Sequence, residues 1–224
     1  MRLASGIGGP VTLLLAGARR RFDDGCMLTH AAMALYLVVR VYDAQSLPAT
    51  ELTAARAVAE HILKDVNIAV RWTDCPCSRP VGPGELVIRI SASTPGAVRT
   101  SLGFSYVDVQ QKTGTLATLY ADRVHELAET VHVEKGELLG RAMAHEIGHL
   151  LLGTSDHAAA GLMRGTWTSM ELANNRPLDW RLSRQDGADM RQALVRRIRE
   201  PRSLQLARIE QVDRGVHPLM IDSP

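Results

Sequence analysis

The chain has 224 residues, 46% of them hydrophobic and 22% charged, with a formal net charge of +2. That is the balance of a folded globular chain, not of a disordered or fibrous one, and so small a charge creates no nucleic-acid or membrane surface by itself. Aromatic residues are only 4%, so the core has to be built from Leu, Val, Ile, Ala and Met.

The N-terminal stretch Val11–Ala18 is apolar but short, and Arg19, Arg20 and Arg21 follow it. An export signal carries its positive charge ahead of the apolar run, not behind it. A second apolar run, Met27–Val41, is interrupted by His30 and Arg40. Neither run has the length of a membrane-spanning helix. Residues 1–30 are therefore set apart from the fold, as a degraded export signal or as sequence ahead of a true start at Met27. Residues 31–200 read as one domain and residues 201–224 as a C-terminal tail. No stable membrane span and no nucleic-acid partner are expected, and a secreted or periplasmic location is slightly favoured over the cytoplasm. The three cysteines, Cys26, Cys75 and Cys77, leave at least one unpaired within the chain. Cys75 and Cys77 lack a second Cys/His pair at zinc-finger spacing. A bridge from Cys26 to either would imply an oxidising compartment.

Tyr36–Asp43 is rich in β-branched and aromatic residues and reads as a strand. A helix follows, with Ser46 as its cap and Pro48 in its first turn. Leu52, Ala55, Val58, Ala59, Ile62, Leu63 and Val66 share one of its faces, and Asn67 ends it. Ile68–Thr73 reads as a second strand, and Cys75–Gly84 as a Pro- and Gly-rich loop. Glu85–Ser91 forms a third strand with Leu86, Ile88 and Ile90 on one side. Phe104–Val109, shorter and more polar, reads as an edge strand, Gln110–Gly114 as a turn and Thr115–Tyr120 as a fifth strand. Glu137–Leu152 is a strong helix with a core stripe of Leu139, Met143, Ile147 and Leu150, closed by Gly153. Its small residues Gly140, Ala144 and Gly148 would let another backbone come close. Gly161–Pro177 looks irregular. Ser183–Arg199 forms a last helix capped by Ser183, and Arg191, Arg196, Arg197, Arg199 and Arg202 read as a solvated face. This order predicts an α+β fold, a mixed sheet of about five strands with helices packed on it and a C-terminal helix.

The chemistry is concentrated in His145-Glu146-Ile147-Gly148-His149, an HExxH pattern. Residues four apart share a helix face, so both imidazoles reach one ion, and imidazole is a good zinc ligand. Glu146 stands about 100° round the axis from His145, beside the ion rather than on it. There it is placed to act as general base on a water whose pKa the metal lowers. A third protein ligand is needed. Gly153 permits a sharp turn, and His157 follows it, with Asp156 as its competitor. Met163 in Gly161-Leu162-Met163 is a candidate apolar floor for the site. Trp167 lies where a substrate pocket would be shaped. His125 and His132 read as surface residues, and His30, His61 and His217 have no partner at ligand spacing.

The run His145–His157 with Met163 downstream resembles the metzincin metallopeptidase signature HExxHxxGxxH with its Met-turn. It has one extra residue before the glycine and one more after it, HExxHxxxGxxxH, as in a bacterial group of metzincin-like proteins. The resemblance runs from about Val38 to Arg199 and includes Trp72-Thr73-Asp74-Cys75. It implies a zinc metalloendopeptidase with His145, His149 and His157 as ligands and Glu146 as base. It also implies a metzincin-like (zincin) catalytic domain, a twisted sheet over two long helices, with an antiparallel edge strand, here Phe104–Val109, to which a peptide or protein substrate adds as a strand. Two alternatives stand beside it: a gluzincin-type peptidase taking Glu171 as third ligand, and a zinc-bearing binding protein without turnover. Sequence alone sets no oligomeric state.

Overall fold

The computed structural model describes residues 35–93 and 101–199, together with the two-residue strand Leu219–Met220. The chain divides into two units, Met1–Ala32 and Met33–Pro224, and all described residues belong to the second. The expectations for residues 1–30, including Cys26 and His30, and for Arg202 and His217 lie outside the described residues.

Five strands form a mixed sheet: β1 (Leu35–Asp43), β2 (Ile68–Asp74), β3 (Glu85–Ser91), β4 (Gly103–Asp108) and β5 (Thr113–Tyr120). Their order is β2-β1-β3-β5-β4. β1, β2, β3 and β5 pair in parallel, and β4 runs antiparallel to β5. Leu219–Met220 (β6) pairs with Val107 and Tyr106 on the outer side of β4, so that part of the expected edge strand is covered. The class is α+β, as the element order predicts.

Two-residue alternation decides which face is buried. Leu37, Val39 and Val41 on β1 and Leu86, Ile88 and Ile90 on β3 lie on one face, in register at Val39–Leu86 and Val41–Ile88. Each is fully buried, which contributes roughly 2 kcal/mol per side chain. The helices α1 (Ala49–Asp65) and α3 (Lys135–Leu152) pack on this sheet and on each other. Their close approach depends on two glycines of α3. A Cβ on Gly136 would lie 2.8 Å from the Ala54 Cβ, and one on Gly140 would lie 2.7 Å from the Val58 Cβ and against the Ala55 carbonyl oxygen. The small-residue stripe thus seats α1 at Gly140, while further along it seats Met163 at Gly148.

On the opposite face, Arg40 is buried to 1% exposure in the middle of β1. It donates to the carbonyls of Arg79 and Pro80, both at 2.7 Å, and to Glu85 at 2.5 Å. The Cys75–Gly84 loop is folded over the sheet by these bonds. Within it Cys75 and Cys77 are disulfide-bonded to each other, not to Cys26, because a Cα separation of 4.7 Å already suits a bridge.

Several local expectations are corrected. Ser46 does not cap α1: Pro48 holds the N-cap position with no side-chain cap, and Ser46 has φ 52°. An additional helix, α2 (Ala121–Val131), follows β5 directly, with Ala121, Val124, Ala128 and Val131 buried. His125 on α2 is not a free surface residue, since its Nε2 lies 2.6 Å from Glu51 of α1. The region expected to be irregular contains α4 (Ser169–Asn174), which starts with a Thr168–Glu171 capping box, and a 3-10 turn at Pro177–Trp180. In α5 (Arg184–Arg199), Ser183 does cap, through a reciprocal bond pair with Asp186. The basic residues of α5 are not all solvated. Arg197 is buried and donates to Thr113 Oγ1 and the Leu150 carbonyl, both at 2.9 Å, and Arg191 donates to the Val66 carbonyl at 2.7 Å. Arginine reaches carbonyls that end a helix or strand, and its apolar stem packs on the way.

Candidate metal centre

The site is built on the last two turns of α3, which is buried along almost its whole length. His145 and His149 lie one turn apart, with ring centroids 4.7 Å from each other. Each Nδ1 is 2.9 Å from a backbone carbonyl, His145 from Leu162 and His149 from Thr154. A carbonyl only accepts, so each Nδ1 carries the proton and each Nε2 presents a lone pair. The two Nε2 atoms face each other at 3.0 Å. Burial pushes the His145 imidazole down to about 3, with His149 adding to the effect, and the His149 imidazole down to about 4. Both rings are therefore neutral near pH 7, with no proton between them. Two lone pairs so placed repel, and a cation between them converts the repulsion into coordination.

Gly153 ends α3 in the left-handed region at φ 62°, and its N–H donates to the His149 carbonyl. Four residues later the chain brings in His157. Its ring stacks on His145 at 5.4 Å and meets His149 edge-on at 4.8 Å. One ligand atom from each of the three histidines falls within 4.8 Å of the others, so the group can hold a metal ion. The return from Gly153 to His157 spans three residues, Thr154–Asp156. Downstream, the Ala158 N–H donates to the Met163 carbonyl at 2.8 Å, and Gly165 lies against the His157 ring.

The competitors for third ligand are occupied elsewhere. Asp156 is exposed and accepts from Thr154 Oγ1 at 3.0 Å. Glu171 caps α4 through Thr168 and pairs with Arg164. Neither belongs to the cluster. Met163 is buried, with its sulfur against Gly148, which lies between the two helical histidines in sequence. His61 and His132 are exposed.

Glu146 is buried at 3% exposure beside this cluster. Ser105 on β4 donates to its Oε2 at 2.6 Å. Burial pushes the Glu146 carboxyl up to about 7, against the pull of the Ser105 hydrogen bond. Gly103 lets β4 come in this close: a Cβ there would stand 2.6 Å from the Thr118 carbonyl and 3.4 Å from Glu146 Oε1. Ser105 carries no local signal in the sequence, because its partner is 41 residues away. Alongside lies a cavity of about 420 Å³ that reaches His145 and Glu146 and is walled by Leu102, Leu127, Ala142, Arg164 and Trp167. Of these, only Trp167 was singled out in the sequence. Leu127 faces it from α2.

No family model matches the chain, and no curated protein sequence matches it either.

Proposed function

We propose that the chain is a zinc-dependent peptidase of metzincin type, with His145, His149 and His157 as zinc ligands and Glu146 as general base. The observation that carries this reading is the facing pair of Nε2 lone pairs, 3.0 Å apart, with both Nδ1 protons committed to carbonyls. A third imidazole within reach completes a neutral nitrogen donor set of the kind zinc favours. When bound, zinc supplies an acidified water near neutral pH and a Lewis acid for the scissile carbonyl.

The protein's own groups do the rest. Ser105 fixes Oε2 of Glu146, so Oε1 is the atom that takes the proton of the attacking water and later passes it to the leaving amine. The burial that raises this carboxyl makes it a stronger base than an exposed glutamate, and a nearby cation draws it part of the way back. An extended peptide adds to β4 along Gly103–Ser105, the stretch next to Glu146, while β6 pairs further along at Tyr106 and Val107. The cavity beside Glu146 receives the side chain that follows the scissile bond.

The test is metal analysis of the purified chain together with cleavage of a broad peptide library. About one zinc per chain and cleavage that disappears in Glu146→Gln, with zinc retained, support the reading. Zinc without cleavage of any peptide by the parent chain would replace it with a zinc-bearing binding protein.

A further inference from the structure

Trp167 stands on the His145 side of the cluster, and no ligand or base role accounts for it. Its indole Nε1–H donates to the Leu162 carbonyl at 3.3 Å, the same oxygen that receives His145 Nδ1–H at 2.9 Å. Its ring also meets the His145 ring edge-on, with centroids 5.6 Å apart. Two contacts from one side chain thus bear on one imidazole, one through the shared acceptor and one directly.

Trp167 is itself held from behind. Its ring packs edge-on against Trp180 at 5.4 Å, and Trp180 is buried with the Arg141 guanidinium 4.0 Å above its ring. Arg141 belongs to α3, one turn before His145, and is anchored by Glu137 and Asn175. The path Arg141–Trp180–Trp167–His145 therefore leaves α3 and returns to it four residues later, bracing the ring against the helix that carries it. His149 has no such brace among the contacts described: its Nδ1 is held by Thr154 alone.

We propose that Trp167 is a positioning residue for His145, fixing both the Leu162 carbonyl and the imidazole so that Nε2 of His145 keeps its aim at the shared metal position. This rests on the metal reading above. Outer-sphere partners of metal-bound histidine typically change metal affinity by about 10- to 100-fold, and Trp167 acts at the low end because part of its effect is indirect.

The experiment titrates Zn2+ against a chromophoric chelator in the full-length parent chain, Trp167→Phe and Trp167→Ala, and records the imidazole Nδ1–H resonances of the metal-free proteins by 15N-resolved NMR. The expected result is a zinc affinity about tenfold weaker in Trp167→Ala and less affected in Trp167→Phe, which keeps a ring. The His145 Nδ1–H signal should shift in Trp167→Phe while that of His149 stays in place, a difference that general loosening of the fold would not produce. Parent-like affinity in both variants with an unmoved His145 signal overturns the role of Trp167 and leaves the metal centre standing. Absence of zinc binding in the parent chain overturns both. Trp167→Phe keeps the test decisive if the alanine variant fails to fold.

Discussion

The Ser105 hydroxyl of β4 donates to the Glu146 carboxylate of α3 at 2.6 Å, tying the strand beside the cleft to the proposed base. The bond fixes one carboxylate oxygen, and in the proposed mechanism it leaves the other for the reacting water. Replacing Ser105 by Ala removes the tether but neither the base nor the ligands. A single hydrogen bond to a charged group is worth about 1.5–3 kcal/mol, so kcat/KM in Ser105→Ala should fall by one to two orders of magnitude with zinc content unchanged. Glu146→Gln should lose more, about 10²- to 10⁴-fold, as general-base loss does. Steady-state kinetics on one cleavable peptide, with metal analysis of each variant, check the order of the two.

The identity of the third ligand separates two kinds of peptidase. His157 lies with the helical histidines, while Glu171 is bound into its capping box and paired with Arg164. His157→Ala should therefore collapse zinc stoichiometry and abolish cleavage. Glu171→Ala should retain about one zinc per chain and lose only local stability, on the order of 1 kcal/mol for the cap. Metal analysis after dialysis against a weak chelator reads both. A zinc-free Glu171→Ala with a zinc-loaded His157→Ala would reverse the assignment.

The pairing of His145 and His149 is legible because a four-residue spacing puts both on one face whatever the surroundings, and Gly153 marks where the helix stops. The strands were legible from alternation: Leu86, Ile88 and Ile90 lie inward as their spacing requires. What stayed hidden depends on distant partners. Arg197 looked like one more solvated cation, but its destination is a set of carbonyl and hydroxyl oxygens on β5 and α3, more than 40 residues away. Ser105 was hidden for the same reason. α2 is a case of another kind, since Ala121, Val124, Ala128 and Val131 have helical spacing in the sequence itself. That stripe was present to be read, and the charged residues between its members masked it.

The α1–α3 contact offers a test of packing independent of chemistry. At Gly140 a methyl group would meet the Ala55 carbonyl oxygen and the Val58 Cβ at 2.7 Å, groups fixed in a helix. At Gly148 it would meet the Met163 thioether, the far end of a flexible side chain. Glycine to alanine within a helix gains up to about 1 kcal/mol of propensity, while overpacking costs about 1–3 kcal/mol. Gly140→Ala should be the more destabilised of the two, with a net loss of about 1–2 kcal/mol, and Gly148→Ala closer to neutral in stability. Urea unfolding of the metal-free proteins measures the difference.

Glu85 gives a pH-dependent prediction. Burial works against its carboxylate, but hydrogen bonds from the Arg79 guanidinium, the Gly82 N–H and Arg40 more than offset that and hold the carboxyl below the ordinary value of 4.5. As pH falls, the unfolded chain therefore binds a proton at this position before the folded one does. The stabilisation is complete at neutral pH, begins to decline below about pH 5 and is gone once the pH is below the folded value. Glu85→Gln lacks this contribution, so the stability gap between parent and variant should be constant from pH 6 to 8 and close progressively on acidification. The neutral-pH gap should be large, about 3 kcal/mol, because Arg40 is left as a buried charge with only the Arg79 and Pro80 carbonyls for company. Urea midpoints of both proteins between pH 3 and pH 8 provide the curve. A gap that widens toward low pH would mean that the Glu85 carboxyl is raised rather than depressed in the folded chain.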